Sequence, residues 1–372
     1  MNVPKIRFSD SEWNYYTYNE LINNKSDSYN PTKTTDNYKC IELEHINQET
    51  GTINGFISSL EQKSSKNKFN EGEVLFGKLR PYLKKYWLAK FNGVCSSEIW
   101  VLKTINTNLI INKFIYYLVQ QHYFLQLCNL STGSKMPRAD WNYIKDQNVA
   151  IPTINVQSKI SSMLQLLDKK IELQSQKIKA LKLYKKGLIL SLKKNSFDWH
   201  TVCIKDLFKI TRGVVIPKNE LSEFKSGEYK YPVYSSQTSN QGVLGYSDTF
   251  DFNGKYLTWT TDGANAGKVF YRNGKFRCTN VCGVLYEDNI RFTNELFAEL
   301  LNSETPKHVS YVGNPKLMNN IMANIKIKIP SNDIQENISL VINTINHKVN
   351  LENNKLLKLQ ELKKGLMQSM FV

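Results

Sequence analysis

Two stretches decide the fold: IPTINVQSKISSMLQLLDKKIELQSQKIKALKLYKKGLILSL at Ile151–Leu192 and IPSNDIQENISLVINTINHKVNLENNKLLKLQELKKGLMQSM at Ile329–Met370. They align without a gap at a constant offset of 178 residues. Ile151-Pro152 matches Ile329-Pro330, Gln157 matches Gln335, and Lys185-Lys186-Gly187-Leu188 matches Lys363-Lys364-Gly365-Leu366. So specific a match at one offset marks a duplicated unit. Steps of four and three residues trace a seam through Ile160, Leu164, Leu167, Ile171, Gln174, Ile178, Leu181, Lys185, Leu188 and Leu192. The second copy runs through Ile338, Ile342, Ile345, Val349, Glu352, Leu356, Leu359, Lys363, Leu366 and Met370. An apolar seam of period 3.5 needs a partner helix with the same seam. The partner for one copy is the other, and because a whole domain lies between them the simplest pairing is antiparallel. The polar sites, Gln174/Glu352 and Lys185/Lys363, either fix register or mark where the seam drifts round the helix.

The segments before each helix repeat more loosely. Trp13-x6-Glu20-Leu21 resembles Trp199-x6-Asp206-Leu207, and Pro137-Arg138 matches Pro315-Lys316 at the 178 offset. An Asn-Gly dipeptide, a hairpin signal, occurs in both halves, at Asn92-Gly93 and Asn273-Gly274. The fold expected is mixed α+β (α/β): two similar domains, each followed by a long helix, with the helices pairing as an antiparallel coiled coil. The boundaries expected are residues 1–150, a helix at 151–197, residues 198–330, and a helix at 331–372.

The 372 residues carry 49 basic and 33 acidic side chains, a net charge of +16, which favours a polyanionic partner. Residues 151–197 hold ten basic and two acidic groups, half of that excess. They include Lys169, Lys170, Lys177, Lys179, Lys182, Lys185 and Lys186, either a solvated helix face or a phosphate-facing stripe. Hydrophobic residues make up 41%, enough for packed cores. No apolar run reaches membrane-spanning length and no secretory h-region opens the chain, so a cytoplasmic protein without membrane partners is expected. The six cysteines and five histidines form no CxxC pair and no metal-ligand spacing, so reduced thiols and no bound metal are expected.

Catalytic signatures are missing. GANAGK (Gly263–Lys268) is one residue short of a phosphate loop and has Val269 where Ser or Thr would bind magnesium; it reads better as a turn between two strands. Asn314-Pro315-Lys316-Leu317 lacks the second proline and the aromatic of an amino-methyltransferase signature. Glu61-Gln62-Lys63 and Glu223-Phe224-Lys225 are too short to identify a nuclease. No catalytic residue and no cofactor site is assigned to the chain.

Three loop sets suit binding instead. The stretch EVLFGKLRPYLKKYWLAKFNGVCSSEIWVLK (Glu73–Lys103) interleaves Lys78, Arg80, Lys84 and Lys85 with Tyr82, Tyr86 and Trp87. A second set is Ser131, Thr132, Ser134, Lys135 and Arg138 in STGSKMPR. The third, in the other half, comprises Ser235, Gln237, Thr258, Thr260, Thr261, Asn265, Lys268, Asn314 and Lys316. Lysine and arginine on turns neutralise phosphates, polar side chains reach base edges, and Tyr82 and Tyr86 are suited to sugars or thymine methyls.

These residues carry a resemblance to the DNA specificity subunits of type I restriction–modification systems. Its carriers are GEVLFGKLRPYLKK (Gly72–Lys85), STGSKMPR (Ser131–Arg138), IPTINVQSKI (Ile151–Ile160), TTDGANAG (Thr260–Gly267) and the paired KKGL sequences, in the right order along essentially the whole chain. The resemblance implies two target recognition domains, each reading one half of a gapped, asymmetric double-stranded DNA target, with the coiled coil as spacer. It also implies two docked modification subunits and associated restriction subunits, with AdoMet, ATP and magnesium belonging to those partners. About 40 helical residues span ~60 Å, one to two turns of duplex at ~34 Å each. Modification of an adenine requires it to leave the stack, so distorted DNA is expected in the active complex. Tyr256–Leu285 is the weaker duplicate of Glu73–Lys103, without an equivalent of Lys78-x-Arg80-Pro81. The rival reading is a coiled-coil scaffold whose basic face binds protein.

Overall fold

The computed structural model describes residues 12–130, 136–194, 199–288 and 290–371. The two long helices are Ile154–Lys194 and Asn332–Met370. The chain forms two compact units, one running to Gln174 and resuming at Lys355, the other spanning Ser175–Asn354. Each helix therefore gives one half to each unit: the N-terminal half of one packs with the C-terminal half of the other, an antiparallel pairing. Every seam position is buried or half-buried. Burying a leucine or isoleucine contributes about 1.5–3 kcal/mol, so the seam is the main bond between the helices.

In the first unit, Asn14–Thr17 pairs antiparallel with Asn148–Ile151, so the strand that opens the domain lies beside the one that leads into the helix. The strands Ile22–Asn23, Ile99–Thr104, Val74–Gly77 and Tyr86–Leu88 form a four-stranded sheet in that order. Ser28–Tyr29, Lys66–Phe69, Gly93–Ser96, Lys39–Ile41 and Ile57–Ser58 form a five-stranded one. The main core gathers Tyr18, Phe76, Phe114, Tyr117 and Phe124 with Ile160 and Leu164 of the first long helix. Met367, Met370 and Phe371, at the end of the second, join it, the Phe371 ring stacking on Phe114 at 5.2 Å.

The second unit repeats this frame. His200–Cys203 pairs with Lys326–Ile329. A six-stranded sheet runs Lys209–Arg212, Cys282–Tyr286, Phe252–Thr260, Val269–Cys278, Tyr231–Tyr234, Val243–Ser247. Its core gathers Leu257, Trp259, Phe297 and Leu301. Ile189, Leu296, Leu300, Ile338 and Ile342 bind the helix pair to it.

The repeated residues have repeated tasks. Gln157 and Gln335 are both buried, and each donates its amide to the carbonyl of Pro152 or Pro330, at 2.8 Å. That bond locks the turn from the last strand into the helix and explains why Ile-Pro-x4-Gln survives in both copies. The seam lysines are also equivalent. Lys363 bonds Asp168 of the first helix (2.7 Å) and Gln120 of the first domain (3.2 Å). Lys185 bonds Asn346 of the second helix (2.8 Å) and Glu299 of the second domain (2.5 Å). Asn346 is the counterpart of Asp168 at the 178 offset. The two lysine sites of the seam are thus joints between helix pair and domain, whereas Glu352 pairs with Lys177 of the other helix.

Neither Asn-Gly pair is a hairpin turn. Asn273-Gly274 lies inside the strand Val269–Cys278, where Gly274 faces Gly254 across the ladder. Gly93 begins a strand that pairs with Lys66–Phe69 and Lys39–Ile41 rather than with the strand before it. In neither domain does the Asn-Gly pair close a two-residue turn between paired strands, so the hairpin reading is corrected.

Candidate nucleic-acid interface

In the first domain the strand Val74–Gly77 ends at a loop tied to a segment sixty residues away. Arg80 N donates to Pro137 O (2.8 Å), Ala139 N to Lys78 O (2.9 Å) and Lys78 N to Glu98 O (3.0 Å). The Lys78–Arg80 loop and the Pro137–Ala139 segment are therefore one surface. Pro81–Leu83 makes a single tight turn, bracketed by Arg80 at φ 51° and Lys84 at φ 49°. Left-handed backbone costs a non-glycine residue about 1 kcal/mol, and the buried Pro81 with its flanking bonds holds both in place. The turn presents Arg80 and Tyr82 to solvent, Tyr82 at 53% exposure. Lys78 is half-buried, close enough to help hold the Glu98 carboxyl down. Lys84 pairs with Glu49 at 2.6 Å. Lys85 donates to Leu43 O at 2.5 Å, and burial pushes its ammonium pKa down. Arg138 grips Glu98 side-on at 2.9–3.1 Å, and that hydrogen bonding holds Glu98 below the usual carboxylate range. Ser131, Thr132, Ser134 and Lys135 lie outside the described residues.

The second domain rebuilds the same crossing with other side chains. Gly263 N donates to Pro315 O (2.9 Å), Leu317 N to Thr261 O (2.9 Å) and Thr261 N to Val281 O (3.1 Å). Bond for bond, Thr261-Asp262-Gly263 takes the place of Lys78-Leu79-Arg80, and Gly263, at φ 92°, keeps the left-handed turn. Lys316 stands where Arg138 does, with Asp262 at 3.9 Å in place of Glu98. The outer loop exposes Tyr311 (68%), Val312 (92%) and Asn314. GANAGK is the turn between Phe252–Thr260 and Val269–Cys278, closed by Ala266 N to Gly263 O (2.9 Å) and Gly267 N to Thr260 O (2.8 Å).

Several expected contacts face inward. Thr258, Thr260 and Thr261 are buried: the first two lie in the strand Phe252–Thr260, whose last four residues are all buried, and Thr261 follows it directly. Thr258 accepts from Arg272, Thr260 donates to Asn265 O, and Thr261 donates to Asp262 (2.6 Å). Tyr86, at 5% exposure, is a core residue rather than a sugar-packing ring, and Trp87 beside it, at 2%, is core as well. The expectations for Thr258, Thr260, Thr261 and Tyr86 are corrected: as folded, these four side chains are buried. Ser235 and Gln237 are half-buried, Ser235 accepting from Thr279 (3.0 Å) and Gln237 donating to Val243 O. Asn265 and Lys268 are exposed, and desolvation lowers the Lys268 ammonium pKa, with Glu299 opposing and Lys185 and Lys182 adding to it.

The helix lysines make no single stripe. Counting heptads from the seam spreads Lys169, Lys170, Lys177, Lys179, Lys182 and Lys186 over the b, e, f and g positions. Lys177 pairs with Glu352 (2.7 Å) and Lys169 with Glu172 (3.6 Å). One segment escaped the sequence reading: Glu49–Gly51, next to the Pro81 turn through Glu49 N to Lys84 O at 3.1 Å. Its signal was Thr-Gly between polar residues, with Glu49 and Gly51 at positive φ. Among the described residues, no His, Cys, Asp and Glu group suited to a metal ion occurs, and no helix is long and apolar enough to cross a membrane.

Residues 10–183 and 197–361 match the model of the type I restriction modification DNA specificity domain, so both halves carry it. A type I specificity subunit N-terminus of Mycoplasma pneumoniae is 44% identical over 145 residues, 39% of this chain and 76% of that protein. The type I restriction enzyme MpnII specificity subunit of the same organism is 40% identical over 148 residues, 40% of this chain and 44% of its own length. In three dimensions the chain resembles the crystal structure of a type I restriction-modification S subunit from M. genitalium, with a TM-score of 0.65. That match has 14% identity and covers 100% of this chain and 99% of the other, a likeness of fold.

Proposed function

The chain belongs to the type I restriction–modification DNA specificity family, and from that premise we propose that each of its domains reads one half of a gapped, asymmetric duplex target. It is a non-catalytic specificity subunit. The observation that carries the proposal is the pair of loop crossings, alike in backbone and different in side chain. The first offers Arg80, Tyr82 and Arg138; the second offers Asn314, Lys316 and Tyr311 over Asp262 and Gly263. A frame held constant while the exposed groups change is what reading two unlike sequences requires.

The helix pair sets the gap. It also offers equivalent exposed apolar positions 178 residues apart, Leu173 with Leu351 and Tyr184 with Leu362. Two equivalent patches suit two copies of one partner, the modification subunit, whose AdoMet chemistry would act on adenines that this chain selects. Restriction subunits with ATP and magnesium complete the assembly, and the site of action is cytoplasmic.

The test is a map of modified adenines in a methylation-free host expressing this chain with a candidate modification subunit, and each alone. A gapped motif with two unlike halves, present only with both proteins, is the result expected. In parallel, binding of the purified complex to duplex DNA should weaken steeply between 50 and 200 mM salt, roughly 10³-fold or more for six phosphate contacts. Affinity that scarcely changes with salt would favour the scaffold reading.

A further inference from the structure

The two domains differ in one small cluster at matching places of their sheets. Parallel pairs fix the correspondence: Ile41 lies opposite Cys95 in the first domain and Tyr234 opposite Cys278 in the second. The pair Leu75 and Trp87 answers Thr258 and Phe270. Counting along the same strands, Ala89 answers Arg272. The first domain fills this place with Ile41, Ile46, Leu75, Trp87, Ala89 and Cys95, an apolar cluster. The second puts a guanidinium there, 5% exposed.

Burying a charge is unfavourable unless its donors are satisfied, and the bonds of Arg272 tell what it holds. Its guanidinium lies 3.5 Å from the Tyr234 ring centroid and 4.5 Å from that of Phe270. Nε donates to Thr258 Oγ1 (3.1 Å) and Nη2 to the Gln241 carbonyl (2.7 Å). Gln241 belongs to a loop of three consecutive positive-φ residues, Asn240 (45°), Gln241 (53°) and Gly242 (87°). That loop joins the paired strands Tyr231–Tyr234 and Val243–Ser247. Asn240 and Gln241 are exposed on its outer side, where Gln241 reaches Asn350 of the second helix at 3.3 Å.

The first domain has the same device made from another residue. The connection between the paired strands Lys39–Ile41 and Ile57–Ser58 contains Glu49 at φ 60° and Gly51 at φ 65°. The Glu49 carbonyl accepts from the buried Tyr86 hydroxyl at 2.8 Å. Tyr86 is itself wedged edge-on against Tyr116, ring centroids 5.8 Å apart. Two different side chains, from different positions of one strand, thus donate to the carbonyl of a left-handed residue in matching loops.

We propose that Tyr86 and Arg272 are positioning residues: each holds a strained reading loop from beneath and so sets its own domain's specificity without touching DNA. The inference rests on the DNA-reading function proposed above. A loop residue left in a sparsely populated conformation returns to commoner ones when its anchor is removed, and side chains that must meet base edges then lose their aim.

The experiment uses the full chain with its modification subunit, as wild type, Tyr86→Phe and Arg272→Met, and compares maps of modified adenines. Tyr86→Phe should relax one half of the motif and Arg272→Met the other, each by roughly tenfold in discrimination, the opposite half staying strict. Hydrogen exchange on the purified chain should quicken at residues 47–51 in the first variant and 237–243 in the second, while the seam amides stay unchanged. Should Arg272→Met not fold, Arg272→Lys keeps a donor for Gln241 and is expected to relax the same half to a lesser degree. Unchanged maps, or both halves relaxing together in either variant, would overturn the proposal; so would loop exchange unaltered by both substitutions. A wild type that yields no gapped motif would sink the DNA-reading function instead, and hydrogen exchange would still decide whether these side chains hold the loops.

Discussion

The joint around Lys363 and the joint around Lys185 solve one problem with the charges exchanged. In the first unit the carboxylate is on the helix (Asp168) and the amide on the domain (Gln120). In the second the carboxylate is on the domain (Glu299) and the amide on the helix (Asn346). Each lysine therefore meets one carboxylate and one amide oxygen. What the duplication has kept is the set of bonds, and the residues that supply them have drifted. The loop crossings follow the same rule, with Gly263 where Arg80 stood and Asp262 where Glu98 supplied the counter-charge.

The largest expected effects come from the repeated glutamines. Gln157 makes three bonds, donating to Leu109 O and Pro152 O and accepting from Ile111 N. The bonds of Gln335 include the one to Pro330 O. Gln157→Ala should cost about 3 kcal/mol and Gln335→Ala about half that, read by urea unfolding. Equal losses would mean that the two turns are alike after all.

The joints come next. Asp168→Asn should lose about 1–2 kcal/mol, since it leaves the ammonium of Lys363, 13% exposed, without a carboxylate. Adding Gln120→Glu rebuilds in the first unit the arrangement native to the second, and most of the loss should return. A double variant no better than the single one would show that the position of the carboxylate matters and that the two joints are not equivalent.

The loop crossings act on discrimination rather than on stability. Arg80→Ala should weaken discrimination in one half-site only, by about 1–3 kcal/mol if Arg80 reads a base edge. If it contacts a phosphate, the loss should be uniform across sequences and the salt slope should fall by about one.

The smallest effect is electrostatic. Glu98 titrates below the usual carboxylate range because Arg138 hydrogen-bonds it. A lowered folded pKa contributes stability that is present above the unfolded value, about 4.3, and is lost as pH falls through the folded value. Glu98→Gln should therefore change stability little in acid and remove a small increment at neutral pH, visible in the difference between melting curves at pH 3 and pH 7.

The helices were legible in the sequence because a seam of period 3.5, apolar at eight of its ten positions in each copy, is buried only by a partner helix. The offset of 178 then tied one helix to the other. Asn273-Gly274 misled because a glycine pair inside a ladder, Gly254 opposite Gly274, has the composition of a turn. Thr258, Thr260 and Thr261 misled because residue type says little of exposure at the end of a strand whose last four residues are all buried. The crossing of residues 78–80 with 137–139 was beyond local pattern. It depends on backbone bonds between distant segments, which no side chain announces. Once it is known, the missing counterpart of Lys78-x-Arg80 is found at Thr261-x-Gly263.

Two copies of one frame should read the two halves of a target independently. The most direct test is equilibrium binding of the complex to three duplexes: the intact target, and the target with either half scrambled. It would be run for wild type and for a variant with Arg80, Tyr82 and Lys84 all changed to serine. The variant should no longer distinguish the intact target from the duplex scrambled in one half, while still rejecting the duplex scrambled in the other. Discrimination lost equally in both halves, or kept in both, would contradict independent reading.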